Sequence, residues 1–112
     1  MALEVIASSD EVPQGGTFVV AHRGEQVLLV RTDHGVFAVE NRCSHAYQEL
    51  AEGKVRKVFI FCPLHGLRFD LRNGCPKGDL TDKPIKAWKC AETDEGIAVD
   101  LDERLDPPLE SK

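Results

Sequence analysis

The sequence is poor in the features that mark several large classes of protein. No apolar run approaches the ~20 residues that a membrane-spanning helix requires. The first residues, Met1-Ala2-Leu3-Glu4-Val5-Ile6, lack the charged start and long apolar stretch of a secretory leader, so the expected location is the cytoplasm. Basic residues are in deficit: 14 Lys and Arg stand against 19 Asp and Glu, a net charge of −5. That balance argues against nucleic acid, which asks for a basic face. It suits a soluble protein, and it also suits one that steers toward a basic partner. No apolar pattern of 3.6-residue period persists over three turns, and no repeat or low-complexity block is present. Helical architecture is therefore not expected.

What remains is a chain of 112 residues, the size of one domain. We place that domain over residues 1–101, with an acidic, mobile tail at 102–112. Short β-rich segments alternate with turn sequences. The first strands fall at Leu3–Ala7, Thr17–His22, Gln26–Arg31 and Val36–Glu40. Ser8 to Gly16 reads as loop with at most one helical turn, and Arg23-Gly24-Glu25 and Thr32-Asp33-His34-Gly35 read as turns. Lys54–Phe61 reads as one further strand. Gly66–Leu71 alternates apolar and polar residues, and Asn73-Gly74 is the strongest hairpin signal in the chain. Cys75–Lys83 is expected as loop. Pro84–Glu92 and Gly96–Leu101 form a last hairpin. The expected class is all-β and mostly antiparallel.

Two stretches stand apart from this regularity, Cys43-Ser44-His45 and Cys62-Pro63-Leu64-His65. Each supplies one thiol and one imidazole, and each lies in a loop beside a strand. Together they make a donor set for a soft or borderline metal. His22, in a strand, and His34, in a turn, read as structural. Cys75 and Cys90 read as thiols without a role. Three centres compete for the four donors. A structural zinc takes two Cys and two His, but zinc fingers group their Cys and place their His on a helix. A four-Cys cluster recruits Cys75 and Cys90, at spacings unlike those of ferredoxins. A [2Fe–2S] centre with two His in place of two Cys takes one thiol and one imidazole from each of two facing loops.

On these residues the chain resembles the Rieske iron–sulfur proteins. The match is C-x-H at Cys43 and His45, then C-x-x-H-G at Cys62, His65 and Gly66. Phe37-Ala38-Val39, Leu50-Ala51-Glu52-Gly53, Phe69-Asp70 and Asn73-Gly74 support it, as do Val12-Pro13-Gln14-Gly15 and the last hairpin. The likeness runs from Leu3 to Leu101, and within it the small Rieske ferredoxins look nearest. It implies three stacked antiparallel sheets, with a cluster-binding part at about residues 41–84. It implies one [2Fe–2S] cluster per chain, with Cys43 and Cys62 on the buried iron and His45 and His65 on the outer one.

The resemblance carries further expectations. High-potential members link the two loops by a disulfide, at positions held here by Gln48 and Leu64. They also aim hydroxyls at the cluster sulfurs from positions held here by Leu67 and Phe69. A low-potential cluster is the expectation. The implied role is that of a soluble, monomeric electron carrier without enzymatic activity of its own. It takes electrons from an NAD(P)H-dependent flavoprotein reductase and delivers them to the terminal oxygenase of an aromatic-ring-hydroxylating dioxygenase system. Ala46, Tyr47, Leu64 and Pro84 are expected to form an apolar docking rim around the imidazoles. A small subunit of an assimilatory nitrite reductase, the ferredoxin of a di-iron monooxygenase and a structural zinc module are the alternatives.

Overall fold

The computed structural model describes residues 3–43, 49–51, 53–62, 67–77 and 83–106. Those residues form ten strands: β1 (Glu4–Ala7), β2 (Thr17–His22), β3 (Glu25–Thr32), β4 (Gly35–Glu40), β5 (Val55–Arg56), β6 (Phe59–Phe61), β7 (Arg68–Asp70), β8 (Pro76–Lys77), β9 (Ala87–Thr93) and β10 (Gly96–Arg104). A single 3-10 turn, Ser9–Glu11, interrupts the loop after β1. Every strand pairing is antiparallel.

The strands make two sheets among the described residues, where three were expected. One has six strands in the order β1-β10-β9-β4-β3-β2, and the other four in the order β5-β6-β7-β8. The difference lies in one short seam. Ala38 and Val39 of β4 pair with Trp88 and Ala87 of β9, which joins two three-stranded halves into one sheet. The Glu40 N–H, donating to the Lys86 carbonyl at 2.8 Å, extends the seam. The six-stranded sheet also curls toward itself. Its edge strands meet where the His22 ring of β2 bonds Glu4 of β1 at 2.7 Å.

β3 shows why the chain needs two sheets. Val27-Leu28-Leu29-Val30 is an unbroken apolar run, and all four residues are fully buried. Side chains alternate across a strand, so both faces of β3 must be covered. Val27 and Leu29 pack with Ala38, Trp88, Ile97 and Val99 inside the curl of the large sheet. Leu28 and Val30 pack on the other side with Ile60 and Phe69 of the small sheet. A polar residue at any of these four positions would be buried on one face or the other.

Several turns differ from what residue type alone suggests. Lys54–Phe61 is a hairpin and not one strand. Arg56 pairs with Phe59, and Lys57 turns the chain with a φ of 54°. No Gly, Asn or Pro announces that turn. The Asn73-Gly74 hairpin forms, and β8 occupies part of what was expected as loop. Gly74 is needed there twice over. Its φ is 76°, and a Cβ would strike the carbonyl oxygen of Ile85. The last strand is also longer than expected. β10 runs to Arg104. The Leu105 N–H then donates to the Ala87 carbonyl at 2.7 Å, and the Asp106 carboxylate accepts from the Ala87 N–H at 3.1 Å.

Arg31 fastens the N-terminal loop to the large sheet. Its guanidinium donates to the carbonyls of Val12 and Ser9 at 2.8 and 3.0 Å. It also grips both carboxylate oxygens of Glu92 at 3.0 and 2.9 Å. Hydrogen bonds from Arg31, then from Ser9, hold the Glu92 carboxyl at a pKa of about 2, against an ordinary 4.5. A depressed carboxylate pKa stabilises the fold above the unfolded value and loses that effect as pH falls toward the folded one. Glu92→Gln should therefore lower the melting temperature at neutral pH. The gap to the wild type should close between about pH 4.5 and 2, read by thermal denaturation of both proteins at each pH. A gap that does not depend on pH would contradict this role.

Candidate metal centre

Cys43 follows β4 after two residues, and Cys62 follows β6 directly. Their relative exposures are 0% and 1%, and both belong to the core shared by the two sheets. None of the four cysteines is in a disulfide. Each of these two thiols stands at the base of a loop, and each loop base is fastened by the main chain.

Asn41 fastens the first loop. It is 5% exposed. Its side-chain oxygen accepts from the N–H groups of Leu50 and Ala51, both at 3.0 Å, and its amide donates to the Gln26 side chain at 3.2 Å. Its own N–H donates to the Gln26 carbonyl at 3.2 Å. One buried side chain thus ties the start of the loop to its end and both to β3. The Thr17 hydroxyl adds a bond to the Ala51 carbonyl at 2.9 Å. The second loop is tied more simply: the Cys62 N–H donates to the Leu67 carbonyl at 2.6 Å, one step beyond the Phe61–Arg68 pair of β6 and β7. The two loop bases also touch. A Cβ on Gly53, at the exit of the first loop, would collide with the Phe61 carbonyl oxygen at the entry to the second.

His45 and His65 lie outside the described residues, as do Ala46, Tyr47, Gln48 and Leu64 of the expected rim and bridge positions. Pro84 is described and partly buried. His22 is held by Glu4, and His34 sits exposed in the β3–β4 turn, where its N–H donates to Thr32. The four-Cys alternative fails on position. Cys90 packs against the core inside the curl of the large sheet, away from the cluster of buried residues that holds Cys43 and Cys62. Burial, with a smaller contribution from Glu92, pushes its thiol up to about 12, and a neutral thiol is a poor nucleophile. Cys75 is half-buried in the β7–β8 hairpin, where its N–H donates to the Asn73 side chain at 3.0 Å.

Asn41 was not singled out in the sequence, where it reads as an ordinary residue at the start of a loop. Its position two residues before a thiol donor, at the end of a strand, is the only cue.

The donor set suits a small, soft inorganic centre. Two buried thiols sit in one core, at the bases of two abutting loops, and each loop carries an imidazole two or three residues further on. The architecture defines an all-β domain with both thiols in the core between a large sheet and a small one. Residues 2–89 match the family model described as the Rieske [2Fe-2S] domain, and the chain belongs to that family. Among relatives, the biphenyl dioxygenase ferredoxin subunit of Pseudomonas sp. (strain KKS102) is 29% identical over 102 residues, covering 90% of this chain and 94% of the relative. The ferredoxin component of naphthalene 1,2-dioxygenase/salicylate 5-hydroxylase systems from Ralstonia sp. is 31% identical over 82 residues, covering 73% and 79%. The solved ferredoxin of carbazole 1,9a-dioxygenase from Nocardioides aromaticivorans IC177 superposes with a TM-score of 0.79 at 31% identity, covering 88% of this chain and 97% of that one. Family membership implies a Rieske [2Fe–2S] cluster, and the buried thiols fit it.

Two expectations follow. Asn41→Ala leaves two main-chain N–H groups without their acceptor, which should cost about 1–3 kcal/mol and speed loss of the cluster in a chelator challenge. A variant with wild-type stability and cluster lifetime would contradict the fastening role. Cys43→Ala and Cys62→Ala should each abolish visible absorbance, while Cys75→Ala and Cys90→Ala keep it.

Proposed function

We propose that this protein is a one-electron carrier of an aromatic-ring-hydroxylating dioxygenase system. It accepts electrons from an NAD(P)H-dependent flavoprotein reductase and passes them singly to the terminal oxygenase. The observation that carries this reading is the pair of buried thiols at two fastened loop bases, in a chain whose relatives are named as ferredoxin components. Cys43 and Cys62 would hold the inner iron, and His45 and His65 the outer one. The bound cluster supplies a site for one electron.

The residues of the chain set how readily that electron is taken. Two thiolate ligands would leave a core of two ferric ions and two sulfide ions formally uncharged, where four would leave it at −2. That difference is the electrostatic reason why mixed ligation gives higher potentials than all-thiolate ligation. Leu67 and Phe69 work the other way. Both are buried in the core that contains Cys43 and Cys62, and neither has an O–H to donate. Hydrogen bonds to the cluster sulfurs favour the reduced, more negative state. Without them the potential stays at the lower end of the family range.

The purified protein should contain two irons and two acid-labile sulfides per chain. It should restore turnover when mixed with a matching reductase and oxygenase. Colourless protein with one zinc per chain would overturn the reading in favour of a structural module. Leu67→Ser or Phe69→Tyr should raise the midpoint potential by on the order of 60 mV, the equivalent of one charge-assisted hydrogen bond of about 1.4 kcal/mol in a one-electron couple. Voltammetry of folded, cluster-loaded variants reads this directly, and an unchanged or lower value counts against it.

A further inference from the structure

The net charge of −5 conceals a strong asymmetry. Residues 41–84 hold eight Lys and Arg against five Asp and Glu, while the rest of the chain holds six against fourteen. The cluster-binding part is thus the basic end of an acidic protein. At ~0.1 M salt the Debye length is about 10 Å, shorter than the molecule's 40 Å long axis. A partner at the small sheet therefore meets the local cations before it meets the net charge.

The cations gather on the outward face of that sheet. Ile60 and Phe69 point into the core, so the alternation of β6 and β7 turns Phe59, Phe61 and Arg68 outward. With Arg56 and Lys57 these residues line an open groove of about 580 Å³. Its rim is cationic, and its floor is two half-buried phenyl rings. The Arg68 guanidinium lies 5.1 Å from the centre of the Phe59 ring. The half of each ring that stays exposed is apolar surface on this face of the sheet.

The contrast with the large sheet sharpens the point. There Arg23, Arg31, Lys86, Lys89 and Arg104 each have a carboxylate within 4.0 Å. Among the described residues no carboxylate comes that close to Lys54, Arg56, Lys57 or Arg68. The groove also adjoins the metal centre. Phe61 pairs with Arg68 immediately before the Cys62–Leu67 closure of the second loop.

We propose that this groove docks an acidic surface of one of the protein's redox partners. The complementary surface carries carboxylates for Arg56, Lys57 and Arg68, and an apolar side chain for the step between Phe59 and Phe61. The identity of the partner as a redox protein rests on the carrier reading; the charge and shape of the surface do not. A second copy of this chain is a poorer occupant, because Glu4, Glu25, Glu92, Glu103 and Asp106 of its acidic sheet already pair with cations of their own chain. Nucleic acid is poorer still, because the fourteen carboxylates outside the cluster-binding part oppose it.

The test measures association of the cluster-loaded protein with a flavoprotein reductase and a terminal oxygenase that together restore turnover with it, by biosensor, at about 100 mM and about 1 M salt, where the Debye length falls from about 10 to about 3 Å. Wild-type protein should bind one of the two, and binding should weaken at high salt. Arg56→Glu/Lys57→Glu/Arg68→Glu should weaken it at least tenfold at low salt and flatten the salt dependence, with visible and circular dichroism spectra unchanged. The milder Arg56→Gln/Lys57→Gln/Arg68→Gln should fall between. If the charge-reversed protein misfolds, this neutral variant decides alone. Binding that both variants retain, or binding to neither partner, overturns the proposal. So does self-association or duplex DNA binding that the same substitutions abolish. Salt-sensitive binding without electron transfer would refute the carrier reading and leave the surface standing. Electron transfer with unaltered binding of the variants would do the reverse.

Discussion

The structure depends on bringing Cys43 and Cys62 into one apolar core. These thiols come from different sheets: one ends the approach from β4, the other from β6. The core around them draws Leu28, Val30 and Val39 from the large sheet and Ile60 and Phe69 from the small one. A metal centre ligated by both thiols is therefore a covalent staple across the sheet interface. Ligand binding of that kind adds directly to folding stability. The small sheet, whose strands are only two or three residues long, has the most to gain from it.

Fastening and chemistry use different groups. The thiols and imidazoles are the proposed donors, but Asn41, Thr17, Gly53 and the Cys62–Leu67 bond set where the loop bases stand. All of these act through the main chain. Buried N–H and carbonyl groups must find partners, and here those partners fix the loop ends. A preformed base lowers the ordering cost of ligation, as in any preorganised site. The charge distribution adds a second division: ion pairs line the large sheet, while Arg56, Lys57 and Arg68 of the small sheet have no carboxylate within 4.0 Å among the described residues.

Much of this could be read in the residues, for identifiable reasons. The first four strands and the final hairpin follow from β-branched runs set between turn formers, and the paired Cys and His motifs are specific enough to identify the family. The hairpin at Lys57 was hidden because a lysine takes the left-handed conformation without any local signal. The fusion of two expected sheets into one depends on two residue pairs between β4 and β9, a long-range fact that no local pattern encodes. Asn41 was illegible for the same reason, since its importance lies in partners nine and ten residues away. The basic groove was masked by a net charge of opposite sign.

The central claim is mixed ligation: sulfur from Cys43 and Cys62, nitrogen from His45 and His65. Electron paramagnetic resonance of the reduced protein, with pulsed detection of ligand nuclei, addresses it most directly. The account predicts a spectrum of low average g and strong couplings to two imidazole nitrogens, with one coupling lost in His45→Cys and the other in His65→Cys. A spectrum of the all-thiolate type, or one without nitrogen coupling, would contradict it.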